Sequence, residues 1–411
     1  MIDQISTIRI KSGSSSQTIW RILVDAHTLI YLSQGNLTLF NIAFFFNQIV
    51  YPKVLQIPSY ALILCRGGDT KPSLSVINCT FNSFQSDSNK SVYYIGVSLI
   101  YKIQLHDCNF TGIGPEVDQN LTMLFIQGID EVLIDNCSFA NISTLADSGA
   151  VYITDFDVIN KSVITVQNTS FIDITVNNND NFSPLHIVAL KQTTAYVIGN
   201  TFMNCYNKDT NSGALYILEN PYEDNYNRKL LNNDEVKGNL FIVNNNSFRN
   251  TTGIISGGIF LLSNTQFSSY SFKYNNFSSC NKLNKYKYGQ DCELYFFNAS
   301  EDWTVNYTMK IMADMFEGCR SNAKQDSVDF QIYHNGSFDF GGQLQLPRLY
   351  IEWWQNKYAI IGIAFGAVAV IALIIIVIIL VVIWIRKKRK TYIRMGRRNS
   401  FNDGLGQYLS T

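Results

Sequence analysis

The chain has 411 residues, 46% hydrophobic and only 16% charged, with 32 cations balanced by 32 anions. That length suits two or three ordinary domains or one long repeat array, and zero net charge gives no overall electrostatic case for a nucleic-acid partner. With 27 Phe and 23 Tyr against 7 Pro, the composition excludes a disordered chain and favours strands joined by turns.

The opening segment, MIDQISTIRIKSG, has no apolar run of signal-peptide length. TIRIKSG alternates and then stops, so residues 1–20 read as part of an earlier coil. A repeat array needs a polar cap on its first unit. None is visible, and the chain is expected to lack its true N-terminus.

From there a motif recurs, most clearly as VLIDNCSFANI at 132–142. Anchored on its Phe, it stands at Phe44, Phe81, Phe110, Phe139, Phe171, Phe202, Phe248, Phe277, Phe316 and Phe338, mostly spaced by about 30 residues. Seven and five residues before the Phe are two apolar columns, such as Val132 and Ile134. Residues two apart share one face of a strand. Three before the Phe stand Asn41, Asn78, Asp107, Asn136, Asn168, Gly199, Asn245, Tyr274, Ala313 and Asn335. Most are residues that tolerate left-handed backbone. Each unit is therefore expected to be a strand, a sharp bend and a second strand that carries the Phe inward. Between motifs lie Gly-led strands, SGAVYI (148–153), SGALYI (212–217) and SGGIFL (256–261). Two polar stretches, 219–239 and 281–291, break the pattern and are expected as insertion loops. The first is a candidate binding loop, although a solvated spacer is the plainer reading.

Three short strands per unit suit the coil of a parallel β-helix. Over roughly residues 18–346 the motif resembles the right-handed parallel β-helices of the pectin-lyase-like superfamily. The expected fold is thus all-β, a right-handed parallel β-helix solenoid of about ten coils followed by one transmembrane α-helix. The resemblance implies that Asn200, Asn246 and Asn275 form an internal Asn stack. A leucine-rich horseshoe is the main rival, but its Asn follows its last strand Leu by three residues, whereas here the spacing is apolar, any, Asn.

All eight Cys (65, 79, 108, 137, 205, 280, 292, 319) precede residue 320, none in a CxxC pair, and the four His (27, 106, 186, 334) complete no zinc spacing. Their even number suits an oxidising compartment. Cys79, Cys108 and Cys137 share one column, and Cys205, Cys280 and Cys319 another. Inward thiol ladders and disulfides between neighbouring coils both remain open.

Residues 347–358 read as a linker, 359–385 as a charge-free apolar run long enough to span a bilayer, and 386–411 as a basic tail. Trp353, Trp354, Tyr358 and Trp384 mark its interfaces, and Arg386–Lys390 mark the cytoplasmic side. The expectation is a single-pass type I plasma-membrane protein, with 1–346 outside. A tail anchor with the solenoid in the cytosol would turn the basic run to the lumen. Candidate N-glycosylation sites are Asn36, Asn89, Asn109, Asn120, Asn141, Asn160, Asn181, Asn250, Asn276, Asn298 and Asn306. Matches at Asn78, Asn136, Asn168, Asn245 and Asn335 are set aside, because the bend column itself supplies them.

No catalytic constellation, cofactor-binding pattern or metal site is expected. A glycosidase needs two carboxylates facing one groove. Asp155 and Asp157 are the best candidates, and a polar turn explains them more simply. Asp107 and Asp135 belong to the bend, and no G-x-S-x-G occurs. RRNSF at 397–401 makes Ser400 a candidate phosphorylation site beside the tail cations, which would bind anionic inner-leaflet lipids through 386–398. The expected function is adhesion, recognition or surface structure, without catalysis, towards a glycan or protein ligand outside the cell. The alternatives are a membrane-tethered carbohydrate-active enzyme and a receptor signalling through its tail. Composition and repeat style are similar to those of single-pass protist surface proteins.

Overall fold

The structure is a computed structural model. It describes residues 7–13, 16–22, 28–46, 60–68, 70–82, 92–114, 121–144, 149–156, 161–177, 183–190, 192–208, 211–219, 238–263, 268–284, 288–296, 313–322, 324–325, 327–334, 337–345, 373 and 375–388. The chain divides into two compact units, Met1–Leu346 and Pro347–Thr411.

The first unit is an all-β parallel solenoid of about seven turns. Three ladders run along it. One stacks the strands before the bend, among them Asn36–Phe40, Ser73–Ile77, Ser162–Gln167, Thr193–Ile198 and Leu240–Asn244. A second stacks the Phe strands from Ile42–Phe46 through Ser138–Thr144 to Asn276–Ser278. The third stacks the Gly-led strands Val151–Thr154, Leu185–Ala189, Leu215–Glu219, Ile259–Ser263 and Cys292–Phe296. In the two long strands Val92–His106 and Leu121–Asp135, the third ladder runs on into the first.

Sequence columns become physical columns. Val132 pairs with Ile103 on one side and Ile164 on the other, and Ile134 pairs with Leu105 and Val166. The period-two apolar pattern puts these inward, and all are fully buried. The Phe rings stack along the axis, with centroids 4.7 Å apart for Phe81–Phe110, 4.8 Å for Phe110–Phe139 and 4.7 Å for Phe171–Phe202. Each fully buried ring contributes about 1.5–3 kcal/mol. The bend column is left-handed as expected, with φ of 50° at Asn78, 54° at Asp107, 52° at Asn136 and 68° at Gly199. Side chains climb it from coil to coil. Asn78 Nδ2 donates to Asn41 Oδ1 at 3.0 Å, and Asn136 Nδ2 donates to Asp107.

The Gly-led motif also has a physical reason. Ser212 and Ser256 are buried, and their hydroxyls donate to Leu215 O and Ile259 O at 2.9 Å each, which closes the corner. A Cβ at Gly213 would stand 2.6 Å from Gly257 O, so only Gly lets neighbouring corners stack this closely. Thr7–Lys11 pairs in parallel with Asn36–Phe40, which places it in a coil of its own.

The far end departs from expectation and accounts for part of the smaller number of turns. Ser321, not Phe316, pairs with Phe277. Phe272 N donates to Met315 O and Tyr274 N to Glu317 O, so Phe316 lies beside Phe272, five residues before the anchor. The bend there is Gly318 (φ 69°), while Ala313 sits in a short helical turn at 313–315. Cys319 moves with this shift. It leaves the column of Cys205 and Cys280 and joins that of Asn275. Phe338 starts no coil either. Ser337–Gln345 runs antiparallel to Ser327–His334, and Gln331 and Tyr333 belong to the Gly-led ladder, opposite Glu293 and Tyr295.

In the second unit, residues 375–388 are helical. Among the described residues no helix is long and apolar enough to cross a membrane. Most of the expected span, 359–372 and 374, lies outside the described residues, as do the linker 347–358 and residues 389–411.

Candidate functional site

One inner column carries most of the polar order. Two residues before each anchor stand Ile42, Cys79, Cys108, Cys137, Thr169, Asn200, Asn246, Asn275 and Cys319, and all are buried. Asn246 Oδ1 accepts Asn200 N at 2.9 Å, Asn275 Oδ1 accepts Asn246 N at 2.8 Å, and Asn246 Nδ2 donates to Val197 O at 2.8 Å. Thr169 N donates to Asn200 Oδ1 at 2.9 Å, and Cys137 N to Thr169 Oγ1 at 3.3 Å. Thr169, Asn200, Asn246 and Asn275 thus each accept a backbone N–H from the coil before. All eight Cys are free and buried. Cys108 Sγ donates to Val76 O at 3.3 Å, and burial pushes the thiols of Cys65, Cys79 and Cys205 up to about 12. Such thiols are poor nucleophiles.

A second left-handed column, two residues after the anchor, has no counterpart in the sequence reading. Asn141, Asp173, Asn204, Asn250 and Ser279 have φ between 51° and 56°. Asn250 Nδ2 donates to Asn204 Oδ1 at 2.9 Å, and Asn204 Nδ2 to Asp173 Oδ1 at 2.8 Å. Two glycosylation candidates, Asn141 and Asn250, therefore sit where the repeat itself demands Asn. Asn109 and Asn276 are exposed on outward strand positions, and Asn36 is half-buried. Asn89, Asn120, Asn160, Asn181, Asn298, Asn306 and Ser400 lie outside the described residues.

Asp155 is buried and fully used. Its carboxylate accepts Leu190 N and the Thr193 hydroxyl, both at 2.6 Å. Asp157, the other member of the expected pair, lies outside the described residues. Glu219, at the start of the long insertion, is also buried. It accepts Asn239 Nδ2 at 2.6 Å, Ser263 Oγ at 2.7 Å, and the hydroxyls of Ser268 and Tyr270. Residues 220–237 of that loop lie outside the described residues.

The densest chemistry lies at the far end, on the outer face of the Gly-led ladder. An aromatic file follows that face from Phe125 through Tyr152, His186, Tyr216 and Phe260 to Tyr295 and Tyr333, with neighbouring centroids 4.2–5.4 Å apart. His186 is buried, and desolvation lowers it to about 3. The file ends in a cluster of Lys282, Asp291, Glu293, Asp329 and Gln331. Lys282 Nζ lies 3.6 Å from Glu293 Oε2, and their side chains are 2% and 1% exposed. Nζ also donates to Gln331 Oε1 at 3.0 Å, and Tyr295 Oη donates to Glu293 Oε1 at 2.9 Å. Asp291 Oδ2 accepts Asp329 N at 2.8 Å, and Asp329 Oδ1 accepts Gly289 N at 2.9 Å. Burial raises Asp291 and Glu293 each to about 7, raises Asp329 and lowers Lys282. The 281–291 stretch, expected as an insertion loop, thus folds Lys282 and Asp291 into a buried polar core. Three carboxylates do gather, but inside the wall and not in an open groove. Among the described residues no group of His, Cys, Asp and Glu is arranged to hold a metal.

Comparison with known proteins adds no identity. No protein family, curated protein or solved structure matches the chain.

Proposed function

We propose that this chain is a membrane-anchored surface scaffold whose β-solenoid presents loops and outer strand faces for adhesion or recognition, without catalysis. The observation that carries the reading is the helix at 375–388. From Ile375 to Ile385 every side chain is apolar or Trp, and each is 42–60% exposed. Water is a poor solvent for such a surface. A bilayer suits it, and 359–385 is long enough to span one. Arg386–Lys390 follow directly, and Lys388 Nζ lies 4.7 Å from the Trp384 ring centre, a pairing suited to an interface.

In this reading 1–346 is outside, right-handed and pectin-lyase-like, and carries N-glycans. The tail is cytoplasmic and rests on anionic lipids through 386–398. Asp155, Glu219, Asp291, Glu293 and Asp329 support a scaffold over an enzyme, because they are buried in the wall and line no open groove. The test is alkaline extraction of membranes from cells expressing the full chain. It should stay with the bilayer, while a chain ending at residue 358 should be released. Release of both chains would sink the anchor.

A further inference from the structure

We propose that Lys282 and Glu293 are the two halves of an intramolecular amide crosslink, formed by the fold itself, which ties the 282–291 loop to the Gly-led strand Cys292–Phe296. The observation is geometric. Nζ and Oε2 are 3.6 Å apart in a site closed to water. Glu293 Oε2 has no hydrogen-bond partner, whereas Oε1 is held by Tyr295 Oη at 2.9 Å. The two carboxyl oxygens are therefore already distinguished. One is polarised by a phenol, and the other faces the amine. Gly289 roofs the pair. A Cβ there would stand 3.2 Å from Glu293 Oε2 and 3.4 Å from Gln331 Oε1. Gln331 Oε1 fixes the amine from a neighbouring coil at 3.0 Å.

The step is a condensation. The uncharged Lys282 amine attacks Glu293 Cδ, forming a C–N bond and placing negative charge on Oε1, where the Tyr295 hydroxyl donates. A proton passes from the attacking nitrogen to the protonated Oε2. The Cδ–Oε2 bond breaks, one water leaves, and the amide carbonyl re-forms. Nothing is oxidised or reduced, and no co-reactant is needed. Holding the partners together supplies the effective concentration that free amines and acids lack. Desolvation raises the acid to about 7 and lowers the amine, which moves both groups towards the uncharged forms that the reaction uses. Asp329 stands close enough for its charge to act on the amine and is available to relay the proton.

The experiment is peptide mapping by mass spectrometry on the full chain, folded, then denatured, deglycosylated and digested. The expected result is a branched peptide joining Lys282 to Glu293, lighter by one water than its two parts. It should be absent from Lys282→Met and Glu293→Ala. Tyr295→Phe keeps both reacting groups and the ring, and should slow formation of the branch. Recovery of residues 282 and 293 on separate unmodified peptides from folded wild-type protein would overturn the proposal and leave a buried ion pair.

Discussion

Replacing Asn246 by Leu keeps the number and branching of side-chain heavy atoms while deleting its bonds. The backbone N–H of Asn200 then loses its acceptor at 2.9 Å, and Val197 O loses a donor at 2.8 Å. Both lie inside the solenoid, where water does not replace them. An orphaned buried donor costs about 1–3 kcal/mol and a lost hydrogen bond about 1 kcal/mol, so the coil should weaken by about 2–4 kcal/mol. The damage should be local, because a solenoid's stability is a sum over neighbouring coils. Hydrogen exchange on the full chain reads it directly. The Asn200 amide should exchange about 30- to 700-fold faster, at about tenfold per 1.4 kcal/mol, while amides near Phe81 should not change. Asn246→Thr should recover much of the loss, because Thr169 holds the same column and accepts Cys137 N at 3.3 Å. Unchanged exchange at Asn200 in Asn246→Leu would refute the idea that this column holds successive coils together.

Other expectations follow from buried charge and backbone. The Asp291 carboxyl, raised from 3.8 to about 7 by burial, binds its proton more tightly folded than unfolded. Its contribution is present below the unfolded value and is lost as pH rises through about 7, by at most about 4 kcal/mol. Asp291→Asn should flatten that slope in the exchange of 289–293. His186, lowered from 6.5 to about 3, acts oppositely, and its coil should weaken as pH falls below about 6.5. His186→Phe should remove that loss while keeping the ring stack. Leu99 has φ 54°, where a side chain costs about 1 kcal/mol, so Leu99→Gly should slow local opening despite Gly's greater unfolded freedom. If the tail rests on lipid, Ser400→Glu should bind anionic vesicles more weakly than Ser400→Ala, and equal binding would remove the phosphorylation switch.

Much of the scaffold was legible because its rules are local. Alternating apolar residues placed Val132 and Ile134 on one inner face, and Asn136 marked the bend because αL backbone favours Asn. The second bend column carried the same signal at Asn141, Asp173, Asn204 and Asn250. Phe46, Ser83 and Gly112 hold the same column in the earlier units, so the Asn signal is diluted there. Phe316 misled as well. A Phe anchor looked obligatory, while Gly318 and Cys319, three and two residues before Ser321, marked the true register. The buried cluster was hidden for a different reason. Lys282, Glu293 and Asp329 meet only when coils stack, and nothing periodic distinguishes a polar insertion that turns inward from one that stays in water.

The proposed topology puts this solenoid on the outer side of a membrane. Peptide-N-glycosidase treatment of the native full chain tests it most directly. That topology should give a clear increase in gel mobility, lost in a variant with Asn→Gln at Asn36, Asn89, Asn109, Asn120, Asn160, Asn181, Asn276, Asn298 and Asn306, the candidates outside the bend columns. An unchanged mobility of the wild-type chain from its native membrane would contradict it.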